Sequence, residues 1–123
     1  MSRNYELYLR DILEAAQRIE RYIAEVDKDS FKADDMRVDG VLFNLMTVGE
    51  AAKNIPDEVR EHYPDVRWRD ISRFRDRVVH HYFGLDLDIV WEIATVHLAP
   101  LKEFAEQLLR DTDDSKLEDE DEN

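Results

Sequence analysis

Residues 5–26 read YELYLRDILEAAQRIERYIAEV, and the spacing of their apolar side chains sets the class of fold that follows. Successive apolar residues are three or four positions apart, which places them along one side of an α-helix. Charged residues such as Arg10, Glu14 and Arg18 fall mostly off that stripe. The pattern therefore predicts an amphipathic first helix from Tyr5 to Val26. Its apolar stripe consists of Tyr5, Leu9, Ile12, Ala16, Ile19, Ile23 and Val26.

Two further stretches with helical periodicity follow this first helix. Residues 27–35, DKDSFKADD, break the apolar pattern and predict a loop. Apolar residues that share one face then predict a second helix from about Asp35 to Asn54. A third helix is predicted from Trp68 to His81, and Gly84 is expected to end that segment. Helices therefore account for most of the first two-thirds of the chain.

Prolines and aspartates mark the remaining element boundaries. Pro56 predicts the start of a short connecting helix, and Pro64 predicts its end. Asp86 or Asp88 is expected to cap a fourth helix through a side-chain oxygen. Pro100 falls inside that fourth helix and should kink or restart it, because proline lacks the backbone donor that a helix interior requires.

The whole pattern predicts an all-α fold. Four amphipathic helices with short connections are typical of an antiparallel four-helix bundle, here with one short connecting helix. The chain has only three glycines and three prolines in 123 residues, which favours few long elements. We assign this helical domain to residues 1–110. Residues 111–123, DTDDSKLEDEDEN, hold eight acidic residues and one lysine, and predict a disordered acidic tail.

For nucleic-acid binding, the distribution of charge along the chain matters more than the net charge. A formal charge of −13 argues against a nucleic-acid partner, because phosphate binding usually recruits a basic surface. Residues 60–82 are nevertheless locally positive, with six arginines against four acidic residues. A phosphate-binding surface, if the chain has one, is therefore expected in this segment. Its arginines are Arg60, Arg67, Arg69, Arg73, Arg75 and Arg77.

Composition also narrows the location and the chemistry. The chain has no cysteine, which excludes disulfides and thiolate metal sites. Its first residues resemble no signal peptide, and no apolar run is long enough to span a membrane, so we expect a cytoplasmic protein. His80 and His81, with Glu92 and His97 downstream, lack the usual spacing of helical metal ligands. We expect neither a metal nor a cofactor.

The third helix carries the only cluster whose chemistry stands out, within residues 73–86, RFRDRVVHHYFGLD. Arginine holds phosphate oxygens with a fixed fork of donors, and histidine exchanges protons near neutral pH. With Arg75 on phosphate, His80 as acid and base, and Asp76 orienting the imidazole, the set could cleave RNA without metal. The product would be a cyclic phosphate. Spacing alone still favours a solvated helix face, with Tyr82 as a packed aromatic.

The helical geometry of this cluster is imperfect. Arg75 and Tyr82 lie within about 20° of one stripe, and Asp76 and His80 are neighbours at four residues' separation. His80, however, lies about 140° around the helix from Arg75. The length of the arginine, distortion of the last turn, or a second copy of the chain could each close that gap.

A longer stretch, residues 49–102, resembles the HepT-like toxins of the HEPN superfamily. In those toxins the central motif is R-x4-6-H, here with Arg75 and His80, and Asp76 stands where asparagine is more usual. The resemblance covers nearly half the chain in detail, and the helical layout extends it through most of residues 1–110. The other matching residues are Gly49, Glu50, Ala51, Ala52, Tyr63, Pro64, Trp68, Tyr82, Phe83, Gly84, Asp86, Trp91, Pro100 and Leu101.

The resemblance implies a specific function. It implies a HEPN-like helical bundle that forms a homodimer, in which two motifs line one cleft and cleave RNA as an endonuclease. It also implies a type VII-like toxin–antitoxin pair, in which an MntA-like nucleotidyltransferase antitoxin transfers AMP to the motif tyrosine, here Tyr82, and so silences the toxin. The alternative from another class is a non-catalytic dimeric HEPN scaffold that binds and regulates a nucleotidyltransferase.

Overall fold

The first half of the chain forms two long helices and two short ones. The computed structural model describes residues 4–121, with side chains for residues 5–112. Helix α1 spans Asn4–Ile23, α2 spans Lys28–Ala33, α3 spans Asp35–Lys53 and α4 spans Asp57–Arg60. The short helix predicted between the two prolines is therefore present.

The second half supplies the remaining two arms of the bundle. Helix α5 spans Trp68–His81 and passes into a 3₁₀ turn at Tyr82–Gly84. Helix α6, Leu87–Glu92, continues through a π-helical turn at Ile93–His97 into α7, Leu98–Asp121. No strand occurs between residues 4 and 121, so the predicted all-α, HEPN-like bundle is confirmed. Within the same residues, no helix is both long and apolar enough to cross a membrane.

The predicted apolar stripe of α1 forms the centre of the core. Leu9, Ile12, Ala16 and Ile19 are each completely buried. Helix α1 packs mainly against α3 and α7, and α3 in turn packs against α5. The helix ends at Ile23, three residues earlier than predicted. The early end allows the chain to turn toward the next element.

Residues 27–35 are not the loop that the sequence predicted, because they contain α2. The Asp27 side chain caps this helix by accepting a hydrogen bond from the Ser30 backbone at 2.8 Å. Its single apolar anchor, Phe31, is completely buried and packs against Trp91 with ring centroids 5.3 Å apart. One buried side chain in a polar segment gives no periodicity, so pattern reasoning misses it.

The fourth arm of the bundle consists of α6, the π-helical turn and α7. It confirms the expected cap and the expected interruption. The carboxylate of Asp86 accepts a hydrogen bond from the Asp88 backbone at 2.9 Å, which makes Asp86 the cap. The α-helix is interrupted by the π-helical turn just before Pro100. Pro100 then lies in the first turn of α7, directly after this interruption.

Helix α7 continues through residues 111–121, which belong to the segment for which the sequence predicts a disordered acidic tail. The Thr112 hydroxyl donates to the Leu108 carbonyl at 2.9 Å, and the Gln107 amide donates to Asp111 at 3.0 Å. No glycine or proline follows Pro100, and extending an existing helix costs far less than starting one. Residues 122–123 lie outside the described part. The division of the chain at residue 110 stays a prediction.

Candidate functional site

Arg75 lies between two carboxylates where α5 crosses α3. Its Nη1 donates to Oδ1 of Asp76 at 3.0 Å, and its Nη2 forms an ion pair with Oε1 of Glu50 on α3. Hydrogen bonding to Asp76, together with the charge of Glu50, raises the pKa of Arg75 above its ordinary value. The guanidinium therefore stays charged, and it is held from two sides.

The crossing itself depends on Gly49. A Cβ atom at this position would lie 2.6 Å from Cβ and 2.9 Å from Cγ of Arg75. Contacts that short do not occur between real side chains, so only glycine lets α5 approach α3 this closely. The aliphatic stem of Arg75 fills the space. Its Nε is buried and lacks a hydrogen-bond partner among the residues described.

Tyr82 forms the second bridge between the same two helices. Its hydroxyl donates a short hydrogen bond to Oδ1 of Asp39, which lies near the start of α3. That hydrogen bond, followed by partial burial and the nearby carboxylate charge, raises the pKa of Tyr82. Since Arg75 meets the end of α3 and Tyr82 meets its beginning, α3 and α5 run antiparallel. The tyrosine ring is 42% exposed, so a reagent can reach it.

His80 is not brought next to Arg75 within one chain. Its side chain is exposed and forms no hydrogen bond or ion pair within the described part of the chain. Asp76, predicted to orient His80, is hydrogen-bonded to Arg75 instead. The roughly 140° between Arg75 and His80 on a straight helix therefore persists, because α5 remains α-helical from Trp68 to His81.

An exposed apolar strip borders these groups. On α5 and the 3₁₀ turn, Val79 is 45% exposed and Phe83 is completely exposed. The Phe83 ring packs edge-on against Tyr82, with centroids 5.5 Å apart. On α3, Phe43 lies between the residues that hold Tyr82 and Arg75 and is 67% exposed. Several large apolar side chains are thus open to water beside the motif.

Sequence reasoning found some of these partners and missed others. Glu50, which the sequence analysis names only as a matching residue, pairs with Arg75 while remaining about half exposed. Asp39 was missed, since 43 residues separate it from Tyr82 and no local pattern links them. Gly49 was noted only as a matching residue. A glycine inside a strong helical pattern is itself a signal of close approach.

The described residues contain no group of three or more histidine, aspartate or glutamate side chains able to hold a metal ion. His97 lies 3.5 Å from Glu92, measured between Nε2 and Oε1, and both belong to the fourth arm. His97 and Glu92 therefore interact with each other on the surface of this arm and not as part of a metal site.

Comparison with known proteins gives a consistent result. The family profile described as "Ribonuclease HepT-like" matches residues 12–108. The chain is 35% identical over 108 residues to "Probable ribonuclease HepT" of Thermococcus cleftensis, covering 88% of this chain and 98% of that protein. It is 36% identical over 118 residues to "Putative RNase MJ0127" of Methanocaldococcus jannaschii, covering 94% and 92%.

A third relative is longer. "Gamma-glutamylcyclotransferase and putative RNase MJ0434" of Methanocaldococcus jannaschii is 33% identical over 116 residues, which are 94% of this chain and 52% of that protein. The chain therefore spans about half of that relative. No solved structure matches the chain significantly.

The glycine at the helix crossing can be tested by substitution. Gly49→Ala places a methyl group against the fixed stem of Arg75, and we expect a loss of about 1–3 kcal/mol in the free energy of unfolding, as for other overpacked sites. The measurement is urea denaturation followed by circular dichroism. Gly84→Ala is the matched control, since a Cβ there meets no atom within 4 Å. Equal stability of Gly49→Ala and wild type would contradict the close approach.

The Tyr82–Asp39 bridge can be tested by titration. Asp39→Asn replaces the carboxylate that accepts the hydrogen bond of the phenol with a weaker, neutral acceptor and also removes the charge that opposes ionisation, so the pKa of Tyr82 should fall toward its ordinary value. Ultraviolet absorbance of tyrosinate, taken as the difference between each protein and its Tyr82→Phe version, isolates this group. Asp65→Asn serves as a control carboxylate. An unchanged midpoint in Asp39→Asn would exclude the bridge.

Proposed function

The chain belongs to the HepT-like ribonuclease family, and from this premise we propose that it is a metal-independent endoribonuclease toxin acting in the cytoplasm. The observation that carries the proposal is Arg75, a permanently charged guanidinium held in a defined position on the helix that also presents an exposed His80. One group suits phosphate and the other suits proton transfer. Neither role requires a metal ion.

The proposed reaction is transesterification within RNA. His80 removes the proton from a ribose 2′-hydroxyl, and the 2′-oxygen attacks the adjacent phosphorus. The bond to the 5′-oxygen of the next nucleotide breaks, and that oxygen takes up a proton from an imidazolium. Arg75 stabilises the negative charge that accumulates on the phosphoryl oxygens. The products are a 2′,3′-cyclic phosphate and a 5′-hydroxyl end.

We propose that the active form is a homodimer. The angle between Arg75 and His80 leaves each chain with a separated pair, and a second copy would add its own pair across one shared cleft. The exposed apolar side chains beside the motif support this arrangement. Val79 and Phe83 at the end of α5, together with Phe43 on α3, would lose contact with water in such an interface.

We propose that Tyr82 is the silencing site. In a type VII-like pair, an MntA-like nucleotidyltransferase antitoxin transfers AMP from ATP to the Tyr82 oxygen and releases pyrophosphate. The exposed ring and the hydrogen bond that fixes its hydroxyl on Asp39 support this assignment. The adduct would add bulk and a negative charge to the shared cleft and repel the RNA backbone.

One observation favours the alternative, a non-catalytic dimeric scaffold that binds and regulates a nucleotidyltransferase. The charge of Arg75 is balanced by two carboxylates, Glu50 and Asp76, within a chain of net charge −13. Phosphate would have to displace at least one of them. Tight binding to the nucleotidyltransferase without any RNA cleavage by unmodified protein would support the scaffold.

The proposed nuclease activity predicts a selective loss on substitution. Unmodified protein in EDTA should cleave single-stranded RNA, and Arg75→Ala or His80→Ala should each lose about 10²–10⁴-fold in rate, as expected for removal of charge stabilisation or proton transfer. His81→Ala is the matched control, because it removes the adjacent exposed histidine. Cleavage is measured on an end-labelled RNA. If wild type and His80→Ala cleave alike, the assignment is wrong.

The proposed silencing predicts a defined covalent change. Co-expression with a MntA-like nucleotidyltransferase should add the mass of one or more AMP units to the intact chain, and peptide mass spectrometry should place them on Tyr82. Tyr82→Phe should remain unmodified, and Tyr22→Phe should be modified as wild type is. Modification that persists in Tyr82→Phe would exclude this residue as the acceptor.

A further inference from the structure

Three arginines on α5 form no ion pair within the part of the chain whose side chains the structure describes. Arg69, Arg73 and Arg77 follow one another at intervals of four residues, so they share one exposed side of the helix. None forms an ion pair with any residue the structure describes, whereas Arg67 pairs with Asp70 at 2.6 Å and Arg75 pairs with two carboxylates. In an acidic protein, a row of arginines without ion-pair partners forms a positive surface suited to binding an anion.

An apolar cleft opens beside two of these arginines. It lies between α5 and the segment formed by α6, the π-helical turn and α7, and its volume is about 340 Å³. Phe74, Ile89 and Ile93 contribute to its apolar lining. Arg73 and Arg77 line it together with Asp70 and Glu92, which pair with Arg67 and His97 respectively. A cleft of this size with charged groups at its edge is typical of a small-ligand or nucleotide subsite.

The cleft is on the same side of α5 as His80. Arg73 and His80 are seven residues apart, which brings them within about 20° on the helix, and Arg77 is one turn from His80. Arg75 lies on the other flank, against α3. A strand that reaches His80 from this side therefore passes Arg77 and Arg73 next.

We propose that this cleft holds one unstacked nucleotide of the RNA strand next to the cleaved phosphate. The guanidinium groups of Arg73 and Arg77 bind its phosphate, and its base enters the apolar cleft against Phe74. An inorganic anion would need the arginines but no apolar cavity, and an apolar side chain of a partner would need the cavity but no free arginines. A nucleotide uses both. This proposal rests on the proposed nuclease function.

The proposal also gives the enzyme a preference among nucleic acids. In a duplex, the bases are stacked and paired, and none is free to enter the cleft. We therefore expect the subsite to select single-stranded RNA, or loops and ends of folded RNA, over double-stranded RNA. The preference should be lost when the cleft is filled.

The phosphate half of the proposal is tested by salt dependence. Anisotropy of a short, labelled single-stranded RNA reports binding to the His80→Ala protein at several KCl concentrations. Arg73→Ala/Arg77→Ala should weaken binding and reduce the slope of log affinity against log salt by about 0.7, since both arginines bind the same phosphate and each phosphate contact on a single strand contributes about 0.7. Arg10→Ala/Arg21→Ala is the control, with the same charge change on exposed positions of α1.

The base half is tested by filling the cleft. Ile89→Trp keeps every charge and should weaken binding on the order of ten-fold, in line with the loss of one stacked base, while the salt slope stays unchanged. Val96→Trp is the matched control, because Val96 is 57% exposed and does not line the cleft. Circular dichroism reports whether each variant keeps the fold, and light scattering reports whether it keeps the oligomeric state.

The possible outcomes separate this inference from the function on which it rests. Suppose that wild type cleaves RNA through His80 but Arg73→Ala/Arg77→Ala binds RNA as Arg10→Ala/Arg21→Ala does. The subsite is then wrong and the nuclease assignment stands. If Ile89→Trp changes the oligomeric state while Val96→Trp does not, the cleft is an interface between copies, which also overturns the proposal. If wild type neither binds nor cleaves RNA, both fail.

Discussion

The close approach of α3 and α5 is the constraint on which the site depends. Gly49 removes the one methyl group that would hold the helices apart, and the stem of Arg75 occupies the space. The guanidinium then meets Glu50, a carboxylate from the neighbouring helix, while Tyr82 reaches Asp39 about three turns away. These two polar bridges are partly exposed, and such bridges contribute little to stability. Their main effect is to fix where the functional groups lie.

The same helix divides its arginines between two uses. On the flank that faces α3, Arg75 is paired and its position is determined by the fold. On the opposite flank, Arg73 and Arg77 are solvated and unpaired within the described chain, next to an apolar cleft. Net charge conceals this division, because the acidic residues that produce −13 are spread over the other helices and the last thirteen residues. A local positive surface can therefore exist on an acidic protein.

Much of the fold could be predicted from the sequence, because the periodic spacing of apolar residues indicates amphipathic helices. The stripe of α1 and the bounds of α5, from Trp68 to His81, are examples. The rest depended on single contacts between distant residues. The helical form of α2 rests on one buried ring, Phe31, and the Tyr82–Asp39 bridge joins residues that no local spacing relates. Residue types could nominate the site, whereas partner identity required the packing of α3 on α5.

The π-helical turn at Ile93–His97 acts as a phase correction within the fourth arm. A π turn accommodates one more residue than an α turn, so it offsets the apolar pattern of α7 from that of α6. Val90 and Ala94 thereby remain in the same core as Leu98. Converting these five residues to regular α-helix without removing one would rotate everything beyond them by about 100°. Leu101 and Phe104, which now pack in the core, would then face away from α1. The length of this turn is thus as much a part of the fold's specification as any side chain in it.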